Sequence, residues 1–442
     1  MKKISRRSFL AAAAACGAAA ALTACGGSSG STAASSTAAS STAAASSTAS
    51  AESVTLQWAV WDKESTPYWQ AMADGYMAEH KDVTIEMVDL GSSDYMTVLA
   101  TQLAGSADLD ILTIKDIPGY ANLINLDYLK PLNDVLTRDT GDFNGTIEQL
   151  TTDDGNFYAV PFRSDFWVLY YNKDLFDAAG VDYPSNDLTL EDYDALARKM
   201  TSGSGDSKVY GCHYHTWRSA ASLFSILDGK HSIIDGNYDF MKGTYDMVIA
   251  QQKDGICMDY GYLKTSSLHY SAAFENQQCA MVNMGSWFIS TLEAYMATAD
   301  TKFNWGIVKY PHPAGASAGS TLGTVTSLAI NVDSPKADAA ADFINWCVSE
   351  EGAQAIAKTG TFPACGSSAT SDIIKSTEGF PDDSNSVDAL TTSNVYLEMP
   401  YTQYASDIET ILNAEHDAIM TMSETVDEGI QNMNDQVPAV LG

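Results

Sequence analysis

Residues 54–90 read VTLQWAVWDKESTPYWQAMADGYMAEHKDVTIEMVDL. The first eight, VTLQWAVW, predict a buried strand. TPYWQAMADGYMAEH (66–80) spaces Trp69, Met72 and Tyr76 along one helical face. Thr66 is placed as its N-cap and Pro67 at its first position, where a missing N–H costs nothing. VTIEMVDL (83–90) alternates as a second strand. Beyond it, YMTVLATQLAG (95–105) sets Met96, Leu99 and Leu103 on one stripe with Gly105 as the stop, and DILTI (110–114) is a third strand. A β-α-β-α-β series with short links predicts a parallel, doubly wound sheet.

Working outward, residues 157–180 read FYAVPFRSDFWVLYYNKDLFDAAG. A hairpin is expected just before, at Asp153-Asp154-Gly155-Asn156. The apolar run Phe166–Tyr171 predicts a strand buried on both faces, with Arg163 and Asp165 at its mouth. NKDLFDAAG is helical and stops at Gly180, and Thr189-Leu-Glu-Asp opens the next helix. Further helices are predicted at 219–228, 238–253, 268–277, 286–298, 336–348, 350–358 and 405–432. Strands are predicted at 208–214, 279–284, 304–309 and 325–332. A second α/β unit therefore follows the first, as a chain of 442 residues requires. No internal repeat is visible.

The formal charge is −32, from 24 Lys+Arg against 56 Asp+Glu. Four of those bases, Lys2, Lys3, Arg6 and Arg7, fall in the first 24 residues, so the remaining chain is more acidic still. Such a surface repels phosphate backbones and excludes nucleic acid as a natural partner. It offers anionic lipid no basic patch.

Those four bases precede an apolar stretch, Phe9 to Ala24, too short to span a bilayer comfortably, which predicts a signal peptide over 1–24. SRRSFL resembles a twin-arginine export signal, although Sec signals also carry basic n-regions. LTAC at 22–25 resembles a lipobox, which implies diacylation of Cys25; Cys16 is the weaker alternative. Residues 25–51 then hold the acylated Cys and a Ser/Thr/Ala-rich tether with an r.m.s. reach of roughly 28 Å. Five cysteines remain: Cys212, Cys257, Cys279, Cys347 and Cys365. An odd count without CxxC excludes a full disulfide framework; one pair could form, and otherwise they read as small buried hydrophobes.

Several chemical motifs are weighed and set aside. GASAG at 315–319 matches the G-x-S-x-G elbow, but Pro311-His-Pro313 precedes it and a strand-like segment follows, so Ser317 is not expected to be a nucleophile. GSG at 203–205 lacks the lysine and spacing of a phosphate loop. His213 and His215 share a face of their expected strand, and without a third ligand they read as polar lining rather than a metal site. No EF-hand pattern occurs, and Asp382-Asp383 adds little. No cofactor is implied, and no carboxylate pair can be singled out among so many acids.

The aromatics say more. Trp61, Trp217 and Trp287 each fall at or just beyond the end of a predicted strand, where open α/β sheets bind ligands. A flat ring beside a carboxylate suits a sugar, whose C–H face it covers while charged groups meet the hydroxyls. For each of the three, a core role and a ligand contact both stay open. Trp69, Trp167 and Trp346 sit within elements and read as core.

Four segments carry a resemblance: LDILTIKDIPGYANLINLDYLKPLNDVL (109–136), NFYAVPFRSDFWVLYYNKDLFDAAGVD (156–182) with LTLEDYDALARKM (188–200), AFENQQCAMVNMGSW (273–287), and GTVTSLAINVDSPKADAAADFINWCVSEEGAQAIAKTGTFPA (323–364). In this order they resemble the extracellular solute-binding proteins of ABC sugar uptake, the class that includes maltose-binding protein. The resemblance they carry runs through the body over 54–364; the last eighty residues match weakly.

The resemblance implies a two-lobed, periplasmic-binding-protein-like α/β fold, each lobe a mostly parallel sheet flanked by helices, joined by hinge crossovers. The N-lobe would take 52–164 and about 326–364, and the C-lobe 165–325 and about 365–442. Family ligand contacts fall on Asp62 and Lys63 after the first strand, Asp116 after the third, Asp165 at the first crossover with Arg163 beside it, and Trp287 after the G-x-W strand end. His213, His215 and Trp217 fill a less regular position, and Gly323-Thr324 the second crossover, where Leu322 replaces a glycine common in relatives.

The expectation is a monomeric, lipid-anchored binding protein at the outer face of the membrane. It would deliver a mono- or oligosaccharide to an ABC permease and catalyse nothing. The alternatives are a binding protein for a polyamine, peptide or organic ion, and an exported glycoside hydrolase, which needs two convergent carboxylates.

Overall fold

The computed structural model of the chain describes residues 53–91, 94–143 and 145–441. The signal segment with Cys16, Cys25 and the tether lie outside the described residues.

Eight strands build the sheet: β1 (Val54–Val60), β2 (Val83–Asp89), β3 (Ile111–Ile114), β4 (Val160–Asn172), β5 (Met281–Gly285), β6 (Trp305–Lys309), β7 (Ser320–Ile330) and β8 (Asn394–Leu397). The spatial order is β2-β1-β3-β7-β4-β5, with β6 on β4 and β8 on β7. β1, β2 and β3 are parallel, with Val54 opposite Val83 and Trp58 opposite Ile111. The opening β-α-β-α-β series therefore forms as expected. Thr66 precedes the helix Pro67–Glu79 without a side-chain capping bond, whereas Thr189 does cap Leu190–Met200 through the Asp192 amide.

The sheet as a whole is mixed. β7 runs antiparallel to β3, and β4 runs antiparallel to β5, β6 and β7. Only the β7–β8 pair adds a parallel ladder in the later chain. β4 has 13 residues: its first part, Val160 to Phe166, pairs with β7, and its second, Trp167 to Asn172, lies between β5 and β6. β7 likewise pairs with β3 at one end and β8 at the other. Two long strands thus belong to both halves of the sheet. Arg163 and Asp165 lie inside β4 rather than at its mouth, just past a register shift between Pro161 and Arg163.

Each half is closed by its own aromatic core. Trp58 and Trp69 meet edge to face at 5.3 Å, with Phe343 at 5.2 Å from Trp58. Across β4, Tyr170 packs on Phe288 at 5.0 Å. Each such ring buries roughly 150–250 Å².

The expected strand at 208–214 forms only isolated bridges, Tyr210 with Cys279 and His213 with Val282. The expected helix 405–432 is two helices, Ala405–Met420 and Val426–Leu441, broken where Met422 takes a left-handed conformation at φ 57°. The first packs against both Ile117–Asn125 and Arg218–Ser222, so it touches both halves of the molecule. All five described cysteines are free and buried.

Candidate ligand-binding cleft

A cavity of about 740 Å³ opens where β1 and β3 end and the crossover strands pass. One wall begins at the end of β1. Trp61 is wedged between Trp69 and Tyr95, each 5.0 Å away, and is largely buried while still lining the cavity. The core and contact readings thus meet in one ring. The chain then turns through Asp62, in a left-handed conformation at φ 45°, and Asp62 lines the cavity. Lys63 does not; its backbone amide donates to Asp89 at 2.8 Å, and the turn carries the residue away from the cavity.

After β3, Lys115 stands 5.2 Å over the Trp61 ring. Asp116 caps the helix Ile117–Asn125 by accepting from the Gly119 amide at 2.7 Å. Desolvation inside the walled cleft lowers the Lys115 pKa and raises that of Asp116.

The floor is β4. Arg163 bonds Asp165 through Nε and donates from Nη1 to the Tyr68 hydroxyl at 2.6 Å. Burial opposes the Arg163 charge, but Asp165 and Tyr68 outweigh it and hold the pKa above the usual value. Asp165 itself is buried and accepts from Ser286 Oγ at 2.7 Å. It positions Arg163, which lines the cavity; Asp165 does not line it.

The second wall carries the exposed rings. Trp217 is 41% exposed, a large value for a tryptophan. Trp287 lies 6.2 Å from it and donates to the Tyr270 hydroxyl at 3.1 Å. Gly285 makes this possible, since a Cβ there would meet the Trp287 ring at 2.0 Å. His215 sits behind, 4.6 Å from Trp217 and 5.3 Å from Tyr270; His213 is deeper and fully buried. Burial drives their pKa values down to about 4 and about 3. Neither lines the cavity; His215 supports Trp217 from behind. Among the described residues, no three His, Cys, Asp or Glu gather as a metal site.

A third wall comes from the chain's end. Glu409, Asn413 and Asp417 recur every fourth residue on Ala405–Met420 and face the cavity. Arg218 donates to Glu409 at 2.6 Å and Asn413 at 3.3 Å. Lys264 pairs with Asp417 at 3.0 Å, and the Tyr260 hydroxyl also bonds that carboxylate. Burial alone would raise the Asp417 pKa; Tyr260 and Lys264 outweigh it and lower it. Just after β8, Glu398 accepts from Trp167 at 2.6 Å and Thr324 at 2.8 Å, yet burial still leaves its pKa raised.

An adjoining recess of about 240 Å³ shares Asp116, Arg218, Thr324, Glu398 and Glu409 with the cavity and is also lined by Gly323. A Cβ on Gly323 would meet Val395 at 2.4 Å, so glycine is what lets β8 lie beside β7.

Of the residues expected from sequence, Trp61, Asp62, Asp116, Arg163, Trp217, Trp287 and Thr324 line the cavity, and Gly323 the recess. Lys63, Asp165, His213 and His215 do not. Sequence reasoning passed over Lys115, Arg218, Tyr270, Glu398, Glu409 and Asp417. The four-residue spacing of 409, 413 and 417 was the one available signal. Ser317 sits exposed in the loop between β6 and β7, with no helix after it, so the elbow geometry is absent.

Known proteins share this fold. A family model described as bacterial extracellular solute-binding protein matches residues 62–354, and one described as a twin-arginine translocation pathway signal sequence matches residues 3–23. Curated relatives include the sn-glycerol-3-phosphate-binding periplasmic protein UgpB of Escherichia coli O1:K1, 24% identical over 300 residues, which are 61% of this chain and 64% of that protein. The chain thus spans less than two thirds of that relative's length. Among solved structures, a sugar transporter from Rhizobium etli in an open conformation is 46% identical, with a TM-score of 0.79 over 87% of this chain and 99% of the other. An ABC substrate-binding protein from Listeria monocytogenes in complex with cycloalternan is 19% identical, with a TM-score of 0.75 over 88% of this chain and 100% of the other. That second likeness is one of fold.

Proposed function

The chain belongs to the bacterial extracellular solute-binding protein family, and on that premise we propose that it captures a neutral mono- or oligosaccharide and hands it to an ABC permease. The observation that carries this reading is the pairing of exposed rings with compensated charge. Trp217 and Trp287 offer apolar faces to the cavity. Arg163, Arg218 and Lys264 each already hold a carboxylate. Sugars present apolar C–H faces and uncharged hydroxyls, which suits such a lining.

A phosphorylated polyol, the ligand named for the curated relatives, fits less well. Its phosphate would meet Asp62, Asp116, Glu398 and Glu409 around the same space. A small polyamine would meet the guanidinium of Arg218.

In this reading the halves on either side of β4 and β7 are lobes, about 52–164 with 326–364 and 165–325 with 365–442. Ligand held between Trp61–Asp116 and Trp217–Trp287 draws them together, and the crossover strands flex as the hinge. The protein catalyses no reaction. Export would follow the twin-arginine signal, with acylated Cys25 and the tether holding the body at the outer membrane face as a monomer.

Calorimetry and tryptophan fluorescence on the purified protein test the reading. Neutral sugars should bind and shift the emission, while glycerol 3-phosphate and a diamine should bind at least tenfold more weakly, roughly 1.4 kcal/mol. Tighter binding of either charged ligand, or turnover of a bound glycoside, overturns it.

A further inference from the structure

Two buried polar atoms on the third wall have no partner: Nη1 of Arg218 and Nε2 of His416. Both residues line the cavity, and both are more than nine-tenths buried. Arg218 spends Nε on Asn413 and Nη2 on Glu409, which locks the guanidinium plane and leaves Nη1 over. His416 is held through Nδ1, 3.1 Å from the Tyr245 hydroxyl, and edge to face against Tyr260 at 5.5 Å. Its ring orientation is therefore set, with Nε2 left over. A buried hydrogen-bonding group without a partner costs about 1–3 kcal/mol. Both atoms are closed off from solvent in this conformation, so a ligand completes their bonding only as the cleft walls rearrange around it.

The surroundings select the ligand group. Glu398 and Glu409 line the same space as Arg218, in the cavity and in the recess. An anion could accept from Nη1 but would face those carboxylates. An ammonium could bond the carboxylates but would face the guanidinium. A hydroxyl can accept from Arg218 while donating to a glutamate, because its oxygen carries both a proton and lone pairs.

We propose that Arg218 and His416, with Glu398 and Glu409 as acceptors, form a subsite that reads individual hydroxyls of the sugar and so sets its specificity. The inference rests on the carbohydrate reading above. Its acceptors lie at 398 and 409, outside the segment 62–354 that the family model matches. The subsite discriminates between sugars that the tryptophan faces would accept alike.

The test couples protein variants to ligand variants. A panel of neutral mono-, di-, tri- and longer oligosaccharides that includes maltose, mannobiose and mannotriose is titrated by calorimetry. The monodeoxy analogues of the best binder are then titrated against wild type, Arg218→Lys, His416→Asn and His416→Gln. Arg218→Lys keeps a cation beside Glu409 and removes Nη1. His416→Asn keeps a polar atom near Nδ1 and removes Nε2, whereas His416→Gln returns a polar atom near Nε2. Circular dichroism and thermal midpoints establish that each variant is folded, and one that is not is replaced by Glu409→Gln, which alters the same subsite.

For at least one hydroxyl, its deletion should weaken wild-type binding about tenfold or more and leave Arg218→Lys nearly unchanged. The Gln variant at 416 should retain more affinity than the Asn variant. If every deoxy analogue loses the same factor in wild type and variants, the subsite is overturned while the carbohydrate reading stands. If no sugar of the panel binds wild type, the carbohydrate reading falls and takes the subsite with it.

Discussion

Trp217 and Trp287 stand with ring centroids 6.2 Å apart and planes inclined at 59°, one ring largely exposed and the other half-buried against Tyr270. Exposure separates their roles. Trp217, the more exposed ring, should contribute less to the fold than Trp287 and more to the proposed ligand. Trp217→Ala should weaken sugar binding by about tenfold or more, since aromatic contacts are worth roughly 1–3 kcal/mol. Its thermal midpoint should stay within about 2 °C of wild type. Trp287→Ala should lower both. Calorimetry and thermal melts on the two variants check the contrast, and equal stability losses would refute it.

Arg163 and Asp165 form the buried ion pair of the floor, with Tyr68 and Ser286 at its ends. Removing the cation strands a buried carboxylate. Arg163→Ala should therefore cost about 3–5 kcal/mol of stability. Arg163→Ala combined with Asp165→Asn should recover part of the loss, because an amide can still accept from Ser286. Chemical denaturation measures both; a double variant no better than the single would show that packing rather than charge sets the cost.

His213 is buried with neither ring nitrogen bonded, and burial depresses its pKa to about 3. The folded protein keeps this imidazole neutral, while the unfolded chain takes up a proton below about 6.5. Stability from this group is complete above 6.5 and is lost as pH falls toward 3. His213→Phe should flatten the decline of the thermal midpoint between pH 6.5 and 4. An unchanged slope would mean that other groups drive acid unfolding.

Glu293 gives the opposite sign. It lies buried on the helix Trp287–Thr298, with Oε1 unpartnered, and burial pushes its pKa from 4.5 up to about 8. The folded state holds this proton where the unfolded state releases it. Its stability is complete below about 4.5 and is lost as pH rises through 8. Glu293→Gln should match wild type near pH 4.5 and exceed it at pH 8.5, by on the order of 2–4 kcal/mol. Denaturation at the two pH values decides it, and a pH-independent difference would sink the assignment.

The first half of the fold was legible because its pattern is local. Strand and helix periods alternate within a few residues of each other, and Trp61 follows at a strand end, while Asp62 and Asp116 were reached through the family resemblance. The same logic found Trp287, whose seat is marked by Gly285 two residues earlier. Other parts were hidden by distance. Arg218 meets Glu409 across 191 residues and Trp167 meets Glu398 across 231, and no local period announces either pair. Alternation also misled: His213 and His215 suggested a strand face toward the ligand, but the segment forms only bridges, His215 is roofed by Trp217 and Tyr270, and His213 lies fully buried. The charges in β4 masked its true length, since Arg163 and Asp165 satisfy each other inside the strand.

The pairing of β3 with β7, Ile111 opposite Ile330, has a consequence for how the molecule comes to be. β1, β2 and β3 leave the ribosome early, yet the open edge of β3 finds its neighbour only after the rest of the crossover region has been made. Contacts between residues so distant along the chain form late and slowly. Until then the nascent first half carries an unprotected strand edge, the usual site of unwanted association. Fragments ending before residue 320 should aggregate rather than fold, and the cell must shelter this intermediate until β7 emerges.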